Sequence, residues 1–184
     1  MNTQRPEWND ANNALVGNGI SMVTLYYLRR YIIFFREILL NVRVDTLDIS
    51  KEVSDWFECL VSILKSDNLK SYLDTKDPEI RMEIIHQLGT AFSHYREIIY
   101  KSGFSGKQKV EIQKVVDFLD LTTNWLDETI RSNNNNNMFH AYNIIRTEKP
   151  PSTAFVDNLY PMLEGQVAVL SSGGLSSDES IELL

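Results

Sequence analysis

The stretch "SMVTLYYLRRYIIFFREILLN", residues 21–41, sets the reading of the fold. Leu25, Tyr26, Leu28, Tyr31, Ile32, Phe34, Phe35 and Leu39 fall on nearly every side of a 3.6-residue repeat. That pattern predicts a helix of about five turns buried on most faces, in the middle of a structure. Arg29, Arg30, Arg36 and Glu37 interrupt it, so residues 14–40 never reach the run of about 18 apolar positions that a membrane span needs.

Outward from this helix the same period recurs. Val53, Trp56, Phe57, Leu60, Val61 and Leu64 give a second helix with one apolar stripe. A third runs from an Asp77 N-cap and Pro78 to a stop at Gly103, burying Ile80, Ile84, Ile85, Leu88, Phe92, Tyr95 and Ile99. A fourth is predicted from Ser105, with Gln108 at capping-box spacing, through Val115, Val116, Leu119 and Leu126 to about Arg131. The five asparagines 133–137 and the double proline 150–151 mark residues 132–160 as an irregular segment. Pro161 opens a short helix that ends at Gly173 and Gly174, and Ser176 with Glu179 caps another. The expectation is an all-α chain of antiparallel helical hairpins, one helical domain over residues 1–184.

Composition narrows the functional classes. The 184 residues are 43% apolar and 23% charged, with a formal net charge of -7. An acidic chain is a poor partner for phosphate backbones, so nucleic acid is excluded as a ligand. Lys107, Lys109 and Lys114 alternate with Glu111 and Asp117, which reads as a solvated helix face. Cys59 stands alone in "WFECLVSIL", so no internal disulfide or cysteine metal site is available; its apolar neighbours predict a buried thiol. The polar N-terminus lacks a signal peptide, and a cytoplasmic location is expected. The apolar face of residues 181–184 and the abrupt start suggest a segment of a longer polypeptide.

The densest chemistry lies in "RPEWNDANNALVGNGIS", residues 5–21. Glu7, Trp8, Asn9 and Asp10 are consecutive, and Asn12 and Asn13 follow. Cleaving a glycosidic bond needs a carboxylic acid that protonates the leaving oxygen. A neighbouring indole and a second carboxylate both raise such an acid's pKa. The same residues also suit a helix start, with Asp10 as cap and Trp8 packed. "HAYN", His140–Asn143, offers further hydrogen-bonding groups in the irregular segment. His86 and His94, eight residues apart, lack the carboxylate that a metal spacing requires, and "SSGG", residues 171–174, reads as a helix end.

"EWNDANN" resembles the "DWNDGMN" stretch of the cellobiose and chitobiose phosphorylases, inverting enzymes with an (α/α)6-barrel catalytic domain. The wider phrases "RPEWNDANNALVG…S" and "LYPMLEGQVAVLSSGGLS" resemble parts of very large bacterial proteins related to these barrels. The resemblance implies that the chain is part of an (α/α) barrel acting on an oligosaccharide or glycoside. It makes Asp10 the general acid, with Trp8, Asn9 and Asn13 on matching positions. Glu7 replaces the family's Asp, and Ala11 and Asn12 depart from its Gly and Met. On this reading Glu7 holds or tunes the acid, Trp8 stacks on sugar, and Asn9, Asn12 and Asn13 orient hydroxyls, with His140 and Tyr142 as further substrate contacts. No metal or organic cofactor is expected. Inorganic phosphate would be a co-substrate if the reaction is phosphorolysis, although no glycine-rich cradle or basic cluster accompanies the motif. The remainder of the parent polypeptide would be a partner. The alternative is a non-catalytic helical interaction module.

Overall fold

A computed structural model describes residues 19–149 and 152–184. It overturns the all-α expectation and the (α/α) barrel with it. Among the described residues, seven helices are accompanied by seven strands in three sheets, an antiparallel mixed α/β arrangement. The elements run β1 (Gly19–Ser21), α1 (Met22–Asn41), β2 (Thr46–Ser50), α2 (Lys51–Leu64), α3 (Asp67–Thr75), α4 (Pro78–Ser102), β3 (Lys107–Glu111), α5 (Ile112–Ser132), β4 (Asn134–Asn135), β5 (Met138–Phe139), β6 (Tyr142–Glu148), β7 (Thr153–Asn158), α6 (Leu163–Ser172) and α7 (Ser177–Leu183). No helix among the described residues is long and apolar enough to cross a membrane.

The chain divides into two compact units. The first gathers the described residues up to 35, then 123–147 and 154–184. Its sheet has the order β1-β6-β7, with Gly19, Ile20 and Ser21 antiparallel to Ile144, Asn143 and Tyr142. Met22, Val23, Tyr26, Ile130, Phe139, Ala141, Tyr142, Ala168 and Val169 form its core. The Ser21 hydroxyl caps α1 by accepting from the Thr24 N–H at 3.1 Å, and the Ala141 carbonyl accepts from the Met22 N–H at 2.9 Å. These bonds satisfy N–H groups that a helix start otherwise leaves open. The asparagine run is ordered after all. Asn134 and Asn135 pair with Phe139 and Met138, and Asn136 and Asn137 take φ of 51° and 62° at the turn. Asparagine tolerates this left-handed region better than most residues, and two in succession suit a tight hairpin.

The second unit holds residues 36–122 and the described residues among 148–153. The strand β3 replaces the beginning of the predicted fourth helix and pairs with β2, Thr46 opposite Glu111 and Ser50 opposite Lys107. Both strands alternate, with Leu47, Ile49, Gln108 and Val110 inward, so Lys107 and Lys109 lie on a strand and not on a helix face. Lys114, on α5, is paired with Glu58. Ser50 caps α2 through the Val53 N–H. Phe57 meets Phe118 edge-on at 5.0 Å, and Trp56 stacks on Tyr95 at 5.1 Å. The predicted caps of α4 are present: Asp77 accepts from the Glu79 N–H at 2.7 Å, and Gly103 ends the helix at φ 69°. Its buried face is thinner than expected. Ile84 is buried, whereas Ile85 and Phe92 are exposed. Cys59 is exposed as well, because α2 turns Glu52, Ser54, Phe57 and Ile63 inward instead.

Candidate functional site

The sites read from sequence separate into two groups. Glu7, Trp8, Asn9, Asp10, Asn12 and Asn13 lie outside the described residues. His140 and Tyr142 lie inside them, in the first unit, and both are interior residues at 3% and 2% exposure. "HAYN" therefore occupies the core beside β1 and does not form a solvent-facing loop.

The backbone explains why. Gln166 on α6 grips Phe139 from both sides, its Oε1 accepting from the Phe139 N–H at 2.9 Å and its Nε2 donating to the Phe139 carbonyl at 2.7 Å. Gly165 lets α6 approach that closely, since a Cβ there would stand 2.7 Å from the Phe139 oxygen. Residues 139–141 are thus clamped between α6 and the start of α1. Around them is a chain of polar contacts. The Tyr26 hydroxyl donates to the His140 carbonyl at 3.0 Å. Asn133 Nδ2 donates to the same carbonyl at 2.8 Å and to the Tyr26 oxygen at 2.5 Å. Asn143 Nδ2 donates to Asn133 Oδ1 at 3.0 Å. Burial holds the Tyr26 phenol above its ordinary pKa, so it stays a neutral donor. The Tyr142 hydroxyl donates to Glu164 at 2.8 Å.

Some polar atoms here have no hydrogen-bond partner: both ring nitrogens of His140 and Oδ1 of Asn143 are buried and unpaired. Such groups are uncommon in native interiors and mark strain, function or an enclosed water. A second polar knot lies in the other unit. Glu52, itself buried, accepts from the Ser105 N–H at 2.8 Å and from the Ser105 hydroxyl. These bonds, the hydroxyl's first, hold its carboxyl below the usual range.

His86 and His94 are exposed on α4 and line a shallow cavity with Glu97. The described residues contain no group of three potential metal ligands. The SSGG stretch is the end of α6, where Gly173 is left-handed at φ 67° and the Ser172 carbonyl accepts from Arg29 at 2.9 Å. Sequence reasoning missed Asn133, Gln166 and Glu52. The first was hidden in an asparagine run. A glutamine on the helix face that also carries a glycine was the available clue for the second.

No family model matches the chain, and no curated protein matches it.

Proposed function

We propose that this chain acts on glycosidic bonds, with Asp10 as the proton donor, Glu7 tuning it, Trp8 stacking on sugar and Asn9, Asn12 and Asn13 orienting hydroxyls. The observation that supports this reading is the pairing of β1 with β6. The strand that begins nine residues after Asp10 in the sequence is hydrogen-bonded to Tyr142–Ile144, so the described chain that follows the motif pairs with the "HAYN" stretch. On this reading the buried His140 and Tyr142 act as a fixed floor behind the substrate, and direct sugar contact falls to residues 7–13. The remainder of a longer polypeptide would supply the opposing base and, for phosphorolysis, the phosphate site. The exposed, unpaired Cys59 supports a reducing, cytoplasmic setting.

The test is titration of the chain with cellobiose and chitobiose, with and without inorganic phosphate, followed by tryptophan fluorescence. Saturable quenching that vanishes in Trp8→Phe and weakens in Asp10→Asn is expected. A flat titration in every condition would sink the reading. A second reading, a non-catalytic interaction module, is favoured by one observation. Tyr27, Tyr31 and Phe34, at i, i+4 and i+7 of α1, are 46%, 58% and 58% exposed. An exposed apolar stripe of this kind favours association. Under that reading Tyr31→Ser with Phe34→Ser reduces self-association in light scattering, while Asp10→Asn changes nothing.

A further inference from the structure

The second unit carries a groove that the glycosidic reading does not use. Its volume is about 400 Å³, within the range of ligand-binding clefts. Buried Leu39, Ile112 and Val116 form the floor. Leu40, Val42 and Val44 form walls that are 53%, 40% and 56% exposed. Three aliphatic side chains held in water around an apolar floor are an incomplete packing arrangement, because each would gain from being covered.

One end of the groove is charged. Asp45 and Glu111 both line it and are brought together by the backbone. Glu111 stands opposite Thr46 at the end of the β2–β3 ladder, and the Asp45 carbonyl accepts from the Ile112 N–H at 2.9 Å. Both residues are exposed. The cations nearby on α1 and α5 are committed elsewhere, Arg36 to Asp120 and Lys114 to Glu58. Arg43, on the same loop, does not line the groove. An aliphatic trough ending in two carboxylates matches one chemistry, an apolar stem with a cationic tip.

We propose that this groove binds an extended peptide segment in which a lysine or arginine stands two residues from an aliphatic residue, so that both side chains face the groove. The aliphatic side chain and the lysine or arginine stem cover Leu40, Val42 and Val44, and the cationic tip lies between Asp45 and Glu111. Long basic side chains favour this split between apolar stem and solvated charge. The open walls suit an extended segment, and the charge pair sets its direction.

The probe is acetyl-Val-Ser-Lys-Ser-Val-amide, titrated into the full chain and followed by amide NMR shifts. Saturable shifts confined to residues 39–46 and 111–116 are expected. The double variant Asp45→Asn with Glu111→Gln should weaken binding roughly 5- to 20-fold, the range two exposed ion pairs can supply. Val44→Ser should weaken it without changing its salt dependence. Equal binding of acetyl-Val-Ser-Glu-Ser-Val-amide, no saturable shift in the groove, or the same shifts appearing on protein concentration alone would each overturn the proposal; the last would assign the groove to a second copy of this chain.

Discussion

Replacing Gly165 by alanine should destabilise the first unit, against the usual sign for a helical glycine. In a free helix the change stabilises by about 1 kcal/mol. Here the added Cβ would stand 2.7 Å from the Phe139 oxygen, 3.0 Å from the Ala141 nitrogen and 3.2 Å from its Cα. All three are backbone atoms, so no side chain can turn aside. Relief requires α6 and the 139–141 segment to separate by roughly half an ångström or more. The same movement stretches both Gln166 bonds to Phe139. Overpacking of this kind costs about 1–3 kcal/mol. At the upper end of that range the propensity gain is exceeded, and a net loss of about 1–2 kcal/mol results. Gly89→Ala on α4 is the control, since nothing lies within 4 Å of its added Cβ; it should gain about 0.5–1 kcal/mol. Native-state hydrogen exchange reads each effect locally, on α6 amides for one variant and α4 amides for the other. Slower or unchanged exchange on α6 in Gly165→Ala would refute the close-approach argument.

Further outcomes follow from the polar contacts. Asn133→Ala strips its donors from the His140 carbonyl and Tyr26 and leaves the Asn143 amide without its acceptor; a loss of about 2–4 kcal/mol in urea denaturation is expected. Arg29→Ala removes the guanidinium bonded to Asp127 at 2.5 Å and to the Ser172 carbonyl at 2.9 Å. With both side chains largely covered, it should cost about 2 kcal/mol, more than an exposed pair, and the deficit should persist in 0.5 M salt. Glu52 has a folded-state pKa below its unfolded one. Its contribution is therefore complete above the unfolded carboxylate pKa and is lost as pH falls through the lower folded value. Glu52→Gln should weaken the second unit at neutral pH and flatten its stability profile on the acid side, as followed by Trp56 fluorescence. An unchanged acid slope would count against the Ser105 contact.

The long helices were legible because their caps and periods are local signals. Asp77, Pro78 and Gly103 mark both ends of α4, and Ser176 with Glu179 forms the reciprocal box of α7. The strands were missed for different reasons. "KQKVE" does alternate, but with Ser105 and Gln108 at capping-box spacing it reads as the start of the fourth helix, and "TLDIS", five residues ahead of the second helix, is too short a run to stand out as a strand. In β6 the alternation is absent, because Tyr142 and Asn143 are both buried and the outer end is exposed. The helix α3 was missed too; its Ser66 cap was visible, but its apolar face is little more than Leu69. For α1 the period was right and the environment wrong. A helix apolar on nearly every side implied burial on most faces, yet one side remains open along Tyr27, Tyr31 and Phe34. Of the candidate site, the chain gave residue types and spacing for positions 7–13, which lie outside the described residues. The interior position of "HAYN" depends on Gln166 and Gly165, more than twenty residues away, and no local pattern reveals such a clamp.

The first unit is stitched together from distant stretches, and this sets a timetable for its birth. The contact between Arg29 and the Ser172 carbonyl spans 143 residues. At roughly 5–20 residues per second, a ribosome needs on the order of 7–30 s to make that interval. During this time Met22, Val23 and Tyr26 have no α6 to cover them, although the second unit's main run, residues 36–122, has already been completed. Short-range units assemble ahead of long-range ones. The nascent chain therefore presents a finished second unit and an apolar helix start awaiting its last partner, the state in which a holding chaperone has the most to gain.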